Sequence, residues 1–112
     1  MTTPDLSKLH CKPLKNIPPM TQAEIGAHLT GARLWRVADG AIERRFKFDD
    51  FHQTIGFVNA LAWIANREDH HPDLLVSYGE CVVRFNTHSI GGISINDFIC
   101  AARVDALMTG GA

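Results

Sequence analysis

The chain has 112 residues, 46% of them hydrophobic and 21% charged, with a formal net charge of −1. This length suits one domain with one core, and the near-zero charge provides no field to hold nucleic acid or an anionic membrane. Cys11, Cys81 and Cys100 are scattered and form no CxxC pair, so they read as reduced thiols. No apolar run reaches the about 20 residues that cross a bilayer. The opening stretch MTTPDLSKLHCKPLKNIPP lacks the apolar centre of a signal peptide. A cytoplasmic protein is expected.

Residues 1–20 are polar and carry Pro4, Pro13, Pro18 and Pro19, which predicts an extended, flexible N-terminal arm. Residues 21–109 read as the single domain. Thr21 and Glu24 have capping-box spacing and open a short helix that ends near Gly31. RLWRVADGAIERRFKF predicts a hairpin: Asp39-Gly40 is a two-residue turn signal, and folding about it sets Val37 opposite Ile42 and Arg36 opposite Glu43. Ile42, Arg44, Phe46 and Phe48 share one face of its second strand.

Asp49 or Asp50 can cap the next helix, DFHQTIGFVNALAWIANRED. It carries two apolar stripes, one of Phe51, Ile55, Val58, Ala62 and Ala65, the other of Phe57, Leu61 and Ile64. Two readings stay open: a helix sunk into its own core, or one stripe on the sheet and the other on a neighbouring subunit. A second hairpin follows about Gly79-Glu80. INDFICAARVDALM then forms a last helix, with Ile95, Ile99, Ala102 and Ala106 along one side. The order α-β-β-α-β-β-α, with short hairpins, predicts an α+β fold: a four-stranded antiparallel sheet with helices packed on one face.

The chemistry gathers in EDHHPDLLVSYGECVVRFNTH. A two-residue turn at Gly79-Glu80 pairs Tyr78 with Cys81, Val76 with Val83 and Leu74 with Phe85. Continued outward, it sets His71 opposite His88. Pro72 holds His71 extended, so His70 and His71 point to opposite sides. Imidazoles titrate near neutrality and can donate and accept protons in one cycle, which suits a reaction that removes a proton and a hydroxyl. The same three side chains could form an open His₃ zinc site. Asp97 could orient an imidazole; alone, Ser94-x-x-Asp97 reads more simply as a helix cap.

At these residues the sequence resembles the pterin-4a-carbinolamine dehydratases. His70-His71-Pro72, Tyr78, His88 and Asp97 follow that family's spacing. WRVADGAIERRFKFDDF and GFVNALAWIANRED resemble its first hairpin and central helix. Two positions depart from the pattern: the leading acidic position falls on Asn66, and the residue after the third histidine is Ser89. The resemblance implies loss of water from 4a-hydroxytetrahydropterin to give quinonoid dihydropterin, without metal or redox cofactor. His70 and His71 would be the main acid–base pair. His88 would bind substrate and assist, and Asp97 would orient an imidazole. Pro72, Thr87 and Ser89 would line the pterin beside the three histidines. Also implied are a homodimer or homotetramer and a functional link to an aromatic amino acid hydroxylase; the near-zero charge and the lack of a long apolar run predict no nucleic-acid or membrane partner. The alternative is a protein-binding dimerisation module. Its docking face would be the central helix around Phe57, Leu61 and Ile64.

Overall fold

A computed structural model describes residues 5–109. Helix α1 spans Gln22–Leu29, strand β1 Arg36–Ala38, β2 Ala41–Lys47, helix α2 Phe51–Glu68, strand β3 Asp73–Ser77, β4 Glu80–Phe85, and helix α3 Ile95–Thr109. The strands form one sheet in the order β1-β2-β4-β3, with every neighbouring pair antiparallel. The α+β class and element order expected from the sequence are those observed.

Local signals account for the element ends. Thr21 and Glu24 make both halves of the capping box: the Glu24 N–H donates to Thr21 Oγ1 and the Thr21 N–H to Glu24 Oε1. Asp50, rather than Asp49, caps α2, accepting from the Gln53 N–H at 2.8 Å. Asp39 and Gly40 both have positive φ, at 49° and 78°, as the hairpin turn with matching twist requires. The predicted pairs Val37–Ile42 and Arg36–Glu43 are present.

The second hairpin differs. Its pairs are Ser77–Glu80, Val76–Cys81, Leu75–Val82, Leu74–Val83 and Asp73–Arg84, so the turn is Tyr78-Gly79. The register is slipped by two residues from the expected one. An even slip keeps every side chain on its face, but it removes the direct opposition of His71 and His88. Continued outward, the observed register would set His71 opposite Asn86. The cause is tertiary. The Phe48 N–H donates to Gly79 O at 2.9 Å, and a Cβ at Gly79 would lie 2.9 Å from Phe48 O. The buried Thr54 hydroxyl of α2 lies 2.8 Å from Tyr78 O. The turn is thus placed by β2 and α2, not by its own residues.

The core lies between one face of the sheet and the helices. Ile42, Phe46, Cys81, Val83 and Phe85 from the sheet meet Phe57, Leu61 and Ala65 of α2 and Phe98, Ala101 and Val104 of α3. Arg44 shares this face because its guanidinium reaches Asp105 at 2.6 Å, and the Trp35 indole N–H also donates to Asp105, at 2.9 Å. Phe57, Leu61 and Ile64 are only 7%, 1% and 8% exposed, so they are core. This corrects their assignment as a free docking face; the exposed large apolar side chains of α2 are Phe51 and Trp63. Along α3 the buried side runs through Asp97, Phe98, Ala101 and Val104. Of the stripe read from the sequence, only Ile99 is fully enclosed.

Residues 5–20, the segment expected as an arm, lie against α2 and α3. Leu6, Cys11 and Met20 pack on the core. The Met20 N–H donates to Ile93 O at 2.8 Å.

Candidate active site

His70 follows the C-terminus of α2, where Asp69 takes a left-handed conformation with φ 51° and reverses the chain. The His70 N–H donates to Ala65 O at 3.1 Å, and its ring stacks on Phe85 with centroids 5.9 Å apart and planes 9° apart. Two backbone and packing constraints thus aim the imidazole toward α3. There its Nε2 lies 2.6 Å from Asp97 Oδ1.

Asp97 is 0% exposed, in the first turn of α3. Its other oxygen, Oδ2, accepts from the Ser94 N–H at 2.9 Å and from the Thr87 hydroxyl at 2.8 Å. Helix capping and imidazole orientation, which the sequence poses as alternatives, are therefore shared between the two oxygens of one carboxylate. An ionised carboxylate only accepts, so beside ionised Asp97 a neutral His70 ring would carry its proton on Nε2 and its lone pair on Nδ1.

His71 points elsewhere, as Pro72 requires. Its Nε2 lies 3.0 Å from Asn66 Oδ1, so the position that departs from the family's acidic residue still contacts the doublet. His88 sits in a short loop after β4, closed by the Thr87–Gly92 bridge, in which the Thr87 N–H donates to Gly92 O at 2.7 Å. Gly91, with φ 73°, ends that loop.

A cavity of about 530 Å³ gathers these groups: His70, His71, Thr87, His88 and Ser89 line it, with Asp69, Asp73 and Asn86. Pro72 is not among its lining residues; its place is to hold His71 extended. The histidines therefore meet across a cavity rather than as a cross-strand pair. Asp97 does not line the cavity itself and reaches it through two residues that do, His70 and Thr87. Among the described residues no group of three or more His, Cys, Asp or Glu side chains is arranged to hold a metal ion. The converging His₃ set of the zinc alternative is absent from them.

One residue that sequence reasoning missed is Glu68, whose side chain is 1% exposed at the end of α2. It accepts from the Cys11 N–H at 2.7 Å, lies 2.9 Å from His10 Nδ1, and faces Arg103 at 3.7 Å. Burial pushes its carboxyl up. The Cys11 N–H, His10 and Arg103 together outweigh that and hold it below the usual carboxylate range. Its only sequence signal is an acid in the last turn of α2, where the helix dipole disfavours one.

An Asp-held imidazole, two further imidazoles and a shared cavity on an antiparallel sheet define a site equipped for proton transfer. Residues 18–107 match the family model described as pterin 4 alpha carbinolamine dehydratase, and the chain belongs to that family. A relative from Nitrosospira multiformis is 47% identical over 95% of each chain, and one from Xanthomonas campestris pv. campestris is 49% identical over 95% of this chain and 92% of its own. Both are provisionally named pterin-4-alpha-carbinolamine dehydratase. Among solved structures, a transcriptional coactivator/pterin dehydratase from Brucella melitensis superposes with a TM-score of 0.76. It is 33% identical and covers 80% of this chain and 97% of its own.

Proposed function

We propose that the protein is a 4a-hydroxytetrahydropterin dehydratase, a hydro-lyase acting by histidine acid–base catalysis. The observation that carries this reading is the His70–Asp97 pair, 2.6 Å apart, on the cavity that His71 and His88 also line. In the reaction the C4a–O bond breaks and N5 loses its hydrogen. Hydroxide is a poor leaving group, so one imidazolium donates a proton to the departing oxygen. A neutral imidazole takes the N5 proton as the C4a=N5 double bond forms. Water and quinonoid dihydropterin leave, and proton exchange with solvent resets the pair. His70 and His71 fill these two roles, His88 binds the substrate and assists, and Thr87 and Ser89 flank the ring. The chemistry needs no metal or redox cofactor.

In this reading the enzyme works in the cytoplasm, downstream of an aromatic amino acid hydroxylase, as a homodimer or homotetramer. Support for self-association comes from the open edge strand β3. It exposes Leu75 at 71%, with Tyr78 at the turn at 67%, beside unpaired backbone groups.

The test is dehydration of freshly generated 4a-hydroxytetrahydrobiopterin, followed in the ultraviolet after subtraction of the spontaneous rate. Each general acid or base contributes about 10²–10⁴-fold. His70→Ala or His71→Ala alone should slow turnover by that order, and the double variant should fall to the spontaneous rate. A double variant with wild-type turnover would overturn the assignment.

A further inference from the structure

The arm forms a second cavity against the same histidine. About 320 Å³ in volume, it is lined by Lys12, Pro13 and Leu14 of the arm and Arg67 of α2. It shares Asp69, His70, Thr87 and Ser89 with the larger cavity. The two spaces therefore adjoin along these four residues. Residues 12–14 fall outside the 18–107 stretch that the family model matches.

The arm is built into this position. Besides the Cys11 N–H on buried Glu68, the side chain of buried Asn96 holds Lys12 at both backbone groups. The Lys12 N–H donates to Asn96 Oδ1 at 3.2 Å, and Asn96 Nδ2 donates to Lys12 O at 2.7 Å. The Ser89 hydroxyl donates to Leu14 O at 2.9 Å, and Arg103 Nε to Leu9 O at 2.8 Å. Gly92 leaves room for the passing chain, since a Cβ there would stand 2.6 Å from Pro19 Cβ. A buried carboxylate and a buried amide are costly unless fully bonded; here both are committed to arm backbone.

We propose that this arm-walled cavity is a specificity subsite. It would take the hydroxylated side chain of the reduced pterin while the ring lies in the larger cavity. This deepens the dehydratase reading and rests on it. Pro13 and Leu14 present carbon to an alkyl chain. Lys12 presents a cation: its backbone is fixed, and its ammonium has no hydrogen-bond or ion-pair partner among the described residues. The cavity's other cation, Arg67, sits 5.2 Å over the Trp63 ring. Glu68 is already bonded by Cys11 and His10. Lys12 is thus the free donor for side-chain oxygens.

The test compares kcat/KM for two freshly generated substrates, 4a-hydroxytetrahydrobiopterin, with its dihydroxypropyl chain, and the 6-methyl analogue, which lacks those oxygens. A hydrogen bond from a charged donor corresponds to about tenfold or more. Wild type should prefer the dihydroxypropyl substrate by about that factor. Lys12→Ala should bring the ratio near one, mainly through KM, and Lys12→Arg should restore most of it. Lys15→Ala, a charge control on an arm residue that does not line this cavity, should keep the wild-type ratio. If wild type dehydrates both substrates equally well and Lys12→Ala leaves the ratio unchanged, the subsite is refuted while the dehydratase reading stands. If wild type accelerates neither, the dehydratase reading itself fails and takes the subsite with it.

Discussion

Replacing Asp97 with Asn probes the centre of the site with almost no change of shape. Asp97 accepts from three donors: the Ser94 N–H, the Thr87 hydroxyl and His70 Nε2. An Asn there has one oxygen and one NH₂. If the oxygen stays on Ser94 and Thr87, the NH₂ faces His70 Nε2 and obliges that nitrogen to accept. The ring proton then moves to Nδ1, and the lone pair offered as base is lost. The expected effect is a fall in kcat of about 10²–10⁴-fold with KM little changed. A charge-assisted hydrogen bond contributes about 1.5–3 kcal/mol, so exchanging one for a neutral contact should lower stability by about 2 kcal/mol. For a domain of this size that is a Tm drop of roughly 8 °C. The assays are the ultraviolet dehydration rate and thermal unfolding by circular dichroism, with activity measured well below the variant's Tm. Wild-type kcat in a folded Asp97→Asn variant would show that His70 does not depend on this carboxylate. A loss of activity that merely tracks the unfolded fraction would reduce Asp97 to a helix cap.

Four further outcomes are expected. Asn66→Asp puts a carboxylate 3.0 Å from His71 Nε2; with His70 as the base and His71 as the imidazolium acid, this favours the protonated ring, so the basic limb of the pH–rate profile should move to higher pH, and an unmoved profile would separate His71 from the titrating pair. Because Glu68 is held below its ordinary value of 4.5 when folded, its contribution is full above that pH and is lost as pH falls through it toward the folded value. Hydrogen-exchange protection of the Cys11 and Lys12 amides should therefore drop below about pH 4.5, and Glu68→Gln should abolish the step. Leu61→Ala, at a side chain 1% exposed under the sheet, should destabilise by about 2–5 kcal/mol in a denaturant titration while leaving kcat near wild type in the cold. Iodoacetamide at pH 8 should label Cys11 alone in the native protein. Cys81 and Cys100 are buried; burial pushes the Cys81 thiol up to about 11, and Cys100 is raised by its hydrogen bond with Cys11 and by burial. Labelling of all three at equal rates would contradict this packing.

The local elements were legible because their signals are local. The capping box at Thr21, the Asp39-Gly40 turn and the Pro72 restraint each act within a few residues. The histidine doublet, His88 and Asp97 carried their own spacing. The second hairpin was not legible to the residue. Gly79 is needed there for the approach of Phe48 O, a contact made across 31 positions, and not for a turn conformation of its own. The α2 stripes also misled. Phe57, Leu61 and Ile64 look no different in sequence from Phe51 and Ile55; only the direction in which the sheet approaches α2 decides which stripe is core.

The sequence by itself determined the element order, the first hairpin's register and which side chains could move protons, because short-range sterics, capping and side-chain chemistry need no distant partner. Only the tertiary structure decided that Asp97 divides its two oxygens between a helix cap and His70. It also decided that Glu68 and Asn96 hold the N-terminal arm beside that histidine. The Asp97–His70, Glu68–Cys11 and Asn96–Lys12 bonds join groups at least 27 residues apart, and burial makes each worth forming. Such pairings depend on how the packed layers meet, which no local pattern in the chain encodes.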